Sequence, residues 1–343
     1  MRALKLLAPG LLELHNVPTL GAVKDSTVRV HVSACGICGS DLALYNGVRD
    51  LSNEHYFGHE FSGIITETGS TANKLKVGMR VASELVRGCG RCWYCRNDLQ
   101  NYCRSMNEAL LPGGFSEITD VLNIDDYCFL SPIPDELDDI TAAVLEPANC
   151  AYRVALQANI NPGDTVLVIG LGAIGIISGL ILQTLGAGKI IGAECSKPRL
   201  KQVRNTGLLD VIDTADPNWM DQIREIISKV GVDVVIEATG VPIVLKDAMM
   251  IVRTGGTIVV PSVYHGSIKN FDPLPIMRKE LTIIGAKGPA PFLKTDGTSA
   301  VVDKVIQIKD ELRKIITIYD YKDSLQAFTD ARSGVAIKAV IKF

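Results

Sequence analysis

The sequence predicts an α/β protein of two domains, one a doubly wound parallel sheet and the other β-rich and built around cysteine-bearing loops. Three observations carry this. From about residue 151 onward, short wholly apolar runs alternate with helical patterns, as they do where strands are buried on both faces of a parallel sheet. Before about residue 150 the runs are short, β-branched and separated by Gly- and Cys-rich stretches. The length, 343 residues, suits about two domains.

In chain order, residues 1–14 read as two short strands turning at Pro9-Gly10, followed by strands at 27–32, 61–67 and 80–85. The second texture begins with a strand at 166–169, a glycine turn and a helix at 174–185. A strand at 190–193, a helix at 197–205, a strand at 211–212 and a helix at 220–229 continue it. Next come a strand at 232–236, a helix at 244–252 and strands at 258–260 and 281–284. A Pro/Gly loop at 288–291, helices at 299–306 and 324–332, and a strand at 337–343 complete the chain.

Hydrophobic residues make up 47% and charged residues 21%, the balance of a globular enzyme with a sizeable core. The net charge of −3 supplies no basic field for nucleic acid or an anionic membrane. Residues 166–185 carry no charge and are long enough to span a bilayer, but Gly170, Gly172, Gly175 and Gly179 interrupt them and no aromatic or basic belt flanks them. Pro9, Gly10 and Glu13 break the apolar core that a signal peptide needs, so a cytoplasmic location is expected. Nine cysteines in a chain of this length then point to metal rather than to a disulfide framework.

Cys89, Cys92, Cys95 and Cys103 are spaced C-x2-C-x2-C-x7-C. Four thiolates that close can satisfy a tetrahedral zinc with no position left open, which is a structural site. A second set is dispersed: the segment Cys35-Gly36-Ile37-Cys38-Gly39-Ser40-Asp41, then Gly58-His59-Glu60, then Glu146-Pro147. Cys38, His59 and Glu146 are of the types that give a catalytic zinc three ligands and an open position. Further on, the apolar run at 166–169 enters Gly170-Leu171-Gly172-Ala173-Ile174-Gly175 and then a helix. This is G-x-G-x-x-G in the strand–turn–helix setting that receives a dinucleotide pyrophosphate, so a Rossmann-type coenzyme domain is expected. Glu194 lies about twenty residues beyond, where an acid accepts hydrogen bonds from the adenosine ribose and repels a 2′-phosphate, so NAD is expected over NADP; Lys197 and Arg199 stand close enough to weaken that exclusion.

Together and in this order, these motifs resemble the zinc-containing medium-chain alcohol/polyol dehydrogenases over essentially the whole chain, with the sorbitol, threonine and butanediol dehydrogenase branch as the best match. The resemblance implies a GroES-like catalytic domain made of residues 1–150 and 288–343, with the coenzyme domain at 151–287. It selects Cys38 over Cys35 as a catalytic-zinc ligand, with His59 and Glu146 as the others. It makes Glu60 a neighbour able to bind or exchange onto the metal, and Asp41 the carboxylate that orients His59. It gives Ser40 the alcohol proton, places Lys338 by the coenzyme pyrophosphate, and implies two zinc ions per chain, one catalytic and one structural. The implied reaction moves a hydride from a secondary alcohol to NAD, leaving a ketone. The alternatives are an aminocyclitol or threonine-type amino-alcohol dehydrogenase and, more remotely, a nucleotide-binding protein without activity.

Two departures bear on the substrate. Relatives often place a proton-relaying His five residues after the ligand Cys, where this chain has Ala43; His55 and Tyr45 are the nearby candidates. The loop beginning at Lys287 differs from the Arg/aromatic substrate loop of polyol enzymes, leaving Lys287 and His55 as candidate substrate contacts. The expected partners are a small alcohol or ketone and further copies of the chain, as a homodimer or homotetramer pairing near residues 281–286.

Overall fold

Between residues 165 and 285, each short apolar run becomes a strand of one parallel sheet. The computed structural model describes residues 1–48, 57–71, 75–83, 91–97, 99–103, 110–111, 113–124, 127–128, 130–227, 230–264, 266–288 and 300–343. Across this sheet the strands lie in the order Asp210–Asp213, Lys189–Glu194, Thr165–Ile169, Val232–Glu237, Val252–Val260 and Thr282–Gly285, all parallel. Counted along the chain this is 3-2-1-4-5-6, with the reversal beside Thr165–Ile169, the place at which sheets of this order receive a dinucleotide. Leu167, Ile169, Ile191, Val235 and Ile258 pack with Trp219 and Ile223 in its core. The uncharged stretch at 166–185 divides into the strand Thr165–Ile169 and the helix Ala173–Thr184, both largely buried. No helix among the described residues is long and apolar enough to cross a membrane.

The β-rich unit is one mixed sheet plus a hairpin. The sheet runs Ile316–Asp320, Lys338–Lys342, Thr27–Gly36, Glu60–Thr68, Arg80–Ser83 and Leu130–Pro132, and Ile118–Ile124 also pairs with Thr27–Gly36. The hairpin joins Arg2–Ala8 to Leu11–Asn16, and Gly10 at φ 77° makes its turn. Phe57, Phe115 and Phe328 meet edge to face at 5.0 to 5.7 Å in the same core cluster as Leu4, Leu6 and Leu12 of the hairpin.

Two compact units result: Met1–Asn149, Pro289–Lys309 and Ile316–Phe343 form one, and Cys150–Gly288 with Asp310–Ile315 form the other. The C-terminal region, expected to lie wholly with the first unit, is therefore divided. Lys309–Ile315 is a helix whose buried Leu312 and Ile315 carry apolar surface into a core. Glu146 and Pro147 lie in the first turn of the helix Leu145–Ala158, where proline is tolerated because the first amides have no intrahelical acceptor. A further difference is local. Val252, expected to end a helix, begins a nine-residue strand that contains Arg253-Thr254-Gly255-Gly256. Its register against Val232–Glu237 shifts between Val232 and Val234, and Gly255 at φ 70° absorbs the irregularity.

Candidate active site

Adjacent strand ends build the centre of the first unit. Gly36 pairs with Glu60 on one side and with Val340 on the other, so residues far apart in sequence meet at one sheet edge. Just past Gly36 the chain turns into the helix Gly39–Tyr45, with Cys38 as its N-cap. The backbone amide of Cys38 donates to Asp41 Oδ2 at 2.9 Å, which ties the first turn together. Ser40, half-buried, stands in that turn.

His59 is fixed from both sides. Gly58 adopts φ 93°, and a Cβ there would come within 2.6 Å of the Phe115 ring, so only glycine fits. Ser83 Oγ donates to the His59 carbonyl and accepts from the Phe61 amide at 2.9 Å. The ligand atoms of Cys38, His59 and Glu60 all lie within 4.8 Å of one another. Asp41, 2% exposed, holds Oδ1 3.9 Å from His59 Nδ1, on the side from which a carboxylate orients a ligating imidazole. Burial pushes the Asp41 carboxyl up from its usual range, more strongly than the neighbouring His59 draws it down. Burial alone would lower the His59 pKa, but the nearby Cys38, Asp41 and Glu146 carry it well above the ordinary imidazole value. Glu146 is buried in the first turn of its helix and is felt electrostatically at both His59 and Lys338; it lies outside the close group of three.

Lys338, expected beside the coenzyme pyrophosphate, has protein partners within its own unit. Its ammonium is buried, pairs with Glu60 Oε2 and donates to the Ile37 carbonyl at 3.0 Å. Burial would lower its pKa, but Glu60 and Cys38 raise it, so it remains a cation. Gly36 makes room for this pair, since a Cβ there would sit 2.6 Å from Glu60 Oε2 and 2.9 Å from Lys338 Cε. Neither the ion pair nor the Ser83 clamp was visible in the sequence; Lys338 and Glu60 are 278 positions apart.

A soft thiol, an imidazole and a carboxylate that converge within 4.8 Å form a donor set suited to zinc. The lobe offers a second set. Cys92 Sγ lies 3.4 Å from Cys95 Sγ and 4.0 Å from Cys103 Sγ. Tetrahedral zinc with sulfur ligands at about 2.3 Å needs sulfurs about 3.8 Å apart, so this spacing fits and is far too long for a disulfide. Cys89 and His55 lie outside the described residues. Cys35, Cys38, Cys92, Cys95, Cys103, Cys150 and Cys195 form no disulfide.

In the second unit the glycine fingerprint is an open cradle. Gly170 has φ 95°; Gly172 caps the helix Ala173–Thr184, on which Ala173 and Ile174 are the first residues, with nothing within 4 Å of the place a Cβ would take. Gly175 packs so closely that a Cβ would lie 2.1 Å from the Gly170 carbonyl oxygen. Glu194 ends the next strand, where its carboxylate accepts from the amides of Leu171, Cys195 and Ser196 at 2.9 to 3.0 Å and from Arg199 at 3.3 Å. Burial works to raise its pKa, but these donors hold it below the usual carboxylate range. Lys197 pairs with Asp213. Lys287 is exposed, two residues past the strand Thr282–Gly285.

Residues 24–134 match the family model of the alcohol dehydrogenase GroES-like domain, and residues 173–305 match that of the zinc-binding dehydrogenases. The chain is 32% identical over 324 residues to an Aspergillus clavatus protein named Probable D-xylulose reductase A, covering 92% of this chain and 88% of that one. It is 29% identical over 319 residues to the sorbitol dehydrogenase of Halalkalibacterium halodurans, covering 92% and 91%. Among solved structures, the 2R,3R-butanediol dehydrogenase of Bacillus subtilis superposes with a TM-score of 0.80 at 25% identity, over 100% of this chain and 99% of that one.

Proposed function

Because this chain belongs to the zinc-containing medium-chain alcohol/polyol dehydrogenases, and is a zinc-dependent oxidoreductase of secondary alcohols using a nicotinamide coenzyme, we propose that it oxidises a polyhydroxylated secondary alcohol to the ketone with NAD. The observation that carries this reading is the acidic setting of the Cys38/His59 pair, with Asp41, Glu60 and Glu146 all buried around it. Such a polar wall favours a substrate that brings further hydroxyls and penalises one that leaves it unpaired. The similarity to proteins named for xylulose, sorbitol and butanediol points the same way.

Cys38 and His59, with Glu146 or Glu60 completing the set, would hold the catalytic zinc, while Asp41 would keep the His59 ring oriented. When bound, zinc polarises the alcohol oxygen as a Lewis acid and the nicotinamide ring accepts the hydride. Ser40 Oγ takes the hydroxyl proton as the hydride leaves the carbinol carbon, so the C–H and O–H bonds are exchanged for the second bond of the carbonyl. With Ala43 in place of an imidazole, the proton passes on through water or coenzyme hydroxyls. The thiols of the lobe would hold the second zinc. Reduced thiols at both sites suit the cytoplasm.

Glu194 accounts for the coenzyme preference. It faces a 2′-phosphate with like charge, while Arg199 is already paired with it and Lys197 with Asp213. The test is a panel of ethanol, 2-butanol, 2,3-butanediol, threonine, sorbitol and a cyclitol with either coenzyme. A diol or polyol is expected to exceed ethanol in kcat/KM by at least about tenfold, and NAD to exceed NADP by a similar factor, each tenfold being about 1.4 kcal/mol. Turnover of ethanol with none of the diols or polyols would sink the substrate reading, and equal use of both coenzymes would remove the role given to Glu194.

The chain also forms a homodimer or homotetramer in this reading. Among the described residues Thr282–Gly285 is the outermost strand of its sheet, and Phe271, Leu274 and Met277 are exposed in and before the short helix that precedes it. An unpaired edge beside apolar side chains is suited to pairing with a second copy. Sedimentation velocity at micromolar concentration is expected to give a multiple of the 37.0 kDa chain mass; a single monomeric species would count against it.

A further inference from the structure

At the carboxyl edge of the coenzyme sheet, a second carboxylate lies across the reversal point from Glu194. Glu237 ends the strand Val232–Glu237 and is fully buried. Its Oε1 accepts from the Thr239 amide at 2.9 Å and from the Thr239 hydroxyl; its Oε2 accepts from the Tyr264 hydroxyl at 2.5 Å. Its backbone carbonyl accepts from Ser262 Oγ at 3.1 Å. One residue on, the Ala238 amide donates to the Ile169 carbonyl at 2.8 Å, immediately before the first fingerprint glycine. A Cβ on Gly170 would meet Ala238 at 2.8 Å, and one on Gly240 would meet the Val263 carbonyl oxygen at 2.9 Å. Three segments are thus knotted together at Glu237: the glycine turn, the loop after the fourth strand and the loop after the fifth.

In this strand order a dinucleotide lies across the reversal, with its adenosine half on the side of the second strand, where Glu194 stands. The other half then extends over the fourth and fifth strands. There Val241 and Val263 stand 48% and 74% exposed beside the knot, apolar surface left uncovered among the described residues.

We propose that Tyr264, anchored on Glu237, is a positioning residue that sets the loop at residues 261–264 to receive the nicotinamide half of the coenzyme. Burial and the adjoining carboxylate both raise the Tyr264 pKa, so its hydroxyl stays protonated and acts as a donor rather than as a base. The hydroxyl touches no reacting atom in this role. It fixes the backbone that presents Val263, and so acts on coenzyme geometry rather than on proton transfer.

The inference rests on the nicotinamide-coenzyme reading, and the experiment separates the two. The unaltered chain and Tyr264→Phe are titrated with the reduced coenzyme, NADH or NADPH, whichever the unaltered chain binds more tightly. They are also titrated with the matching fragment lacking nicotinamide, ADP-ribose or its 2′-phosphate. Tyr264→Phe is expected to raise the Kd for the reduced coenzyme about fivefold to tenfold, leave the Kd for the fragment within twofold, and alter the emission maximum of the bound dihydronicotinamide. A purely structural tyrosine would weaken both ligands alike; that result, or no change in either, overturns the proposal. Failure of the unaltered chain to bind either reduced coenzyme overturns the coenzyme reading as well. Should Tyr264→Phe not fold, Glu237→Gln takes its place: it keeps one acceptor oxygen and is expected to weaken the reduced coenzyme selectively but less. Equal weakening of coenzyme and fragment by that variant is the overturning result.

Discussion

Replacing Cys38 by serine is expected to reduce kcat by about a thousandfold while leaving the fold and coenzyme binding in place. Losing the charge stabilisation of a Lewis-acid ion removes several kcal/mol, and each 1.36 kcal/mol is tenfold in rate, so three decades is the scale to expect. The local structure makes the substitution clean. Cys38 is the N-cap of the helix Gly39–Tyr45, and serine is among the best N-cap residues, so the helix has no reason to fray. What changes is the donor: a thiol that ionises readily on a metal gives way to a hydroxyl that does not. Metal analysis should show one zinc lost per chain, and titration with reduced coenzyme should give an unchanged Kd because the glycine cradle lies in the other unit. Retention of more than a tenth of the wild-type kcat with full metal content would remove Cys38 from the ligand set and return attention to Glu60 and Glu146.

The residues that make this experiment possible were legible in the sequence to different degrees, for physical reasons. Cys38, Ser40 and Asp41 fall within one helical turn, and Gly58-His59-Glu60 is a contiguous segment. Contiguity forces proximity, so motif reading works there. The fingerprint glycines were legible for the same reason, because a strand, a tight turn and a helix N-terminus are built from neighbours in sequence. The partnership of Glu60 with Lys338 depends on a register between the first and last thirds of the chain that no local pattern encodes. A buried lysine beside a carboxylate looks, in sequence, like any lysine in a terminal strand. The Glu237–Tyr264 contact is hidden in the same way, since it joins the ends of neighbouring strands through loops without a signature.

The fold shows a similar divide. Strands covered on both faces advertise themselves as unbroken apolar runs, and Thr165–Ile169, Lys189–Glu194 and Val232–Glu237 each lie within a residue or so of the sequence expectation. Lys309–Ile315 and Ile316–Asp320 were not anticipated. The first is seven residues, mostly charged, with only Leu312 and Ile315 buried; the second is an edge strand with Thr317, Ile318 and Asp320 exposed. Short elements with one buried face and few apolar positions give a weak periodic signal. The extension of the fifth strand back to Val252 was masked by Gly255-Gly256, which reads as a turn but here sits in a bulge.

Replacing Cys103 by serine is expected to have the converse effect, a large loss of stability with less than about a tenfold change in kcat for the protein that remains folded. Among its described residues the lobe has almost no core to fall back on. Its regular structure there is the four-residue helix Trp93–Arg96 and the 3-10 turn Gln100–Tyr102, and Trp93 is 65% exposed. The Tyr94 ring packs against Trp93 and Tyr102 at 5.5 and 5.8 Å, contacts that amount to only a small cluster. A segment of this size depends on a cross-link, and a structural zinc can contribute about 10–16 kcal/mol of apparent binding free energy in an isolated finger. Cys103 is buried at the end of the 3-10 turn, so its thiolate fixes the return of the loop onto Cys92 and Cys95. Serine there should release one zinc per chain, lower the melting temperature and open the segment around residues 91–103 to limited proteolysis. Mild chelation of the unaltered protein is expected to act in the opposite order: the Cys38 site, as proposed with a position open for substrate, should lose metal and activity first, and the thiol lobe, as proposed closed, should keep its ion. If Cys103→Ser abolished turnover without lowering the melting temperature, or if the chelator emptied the lobe before activity fell, the lobe would have to be given a part in the reaction itself.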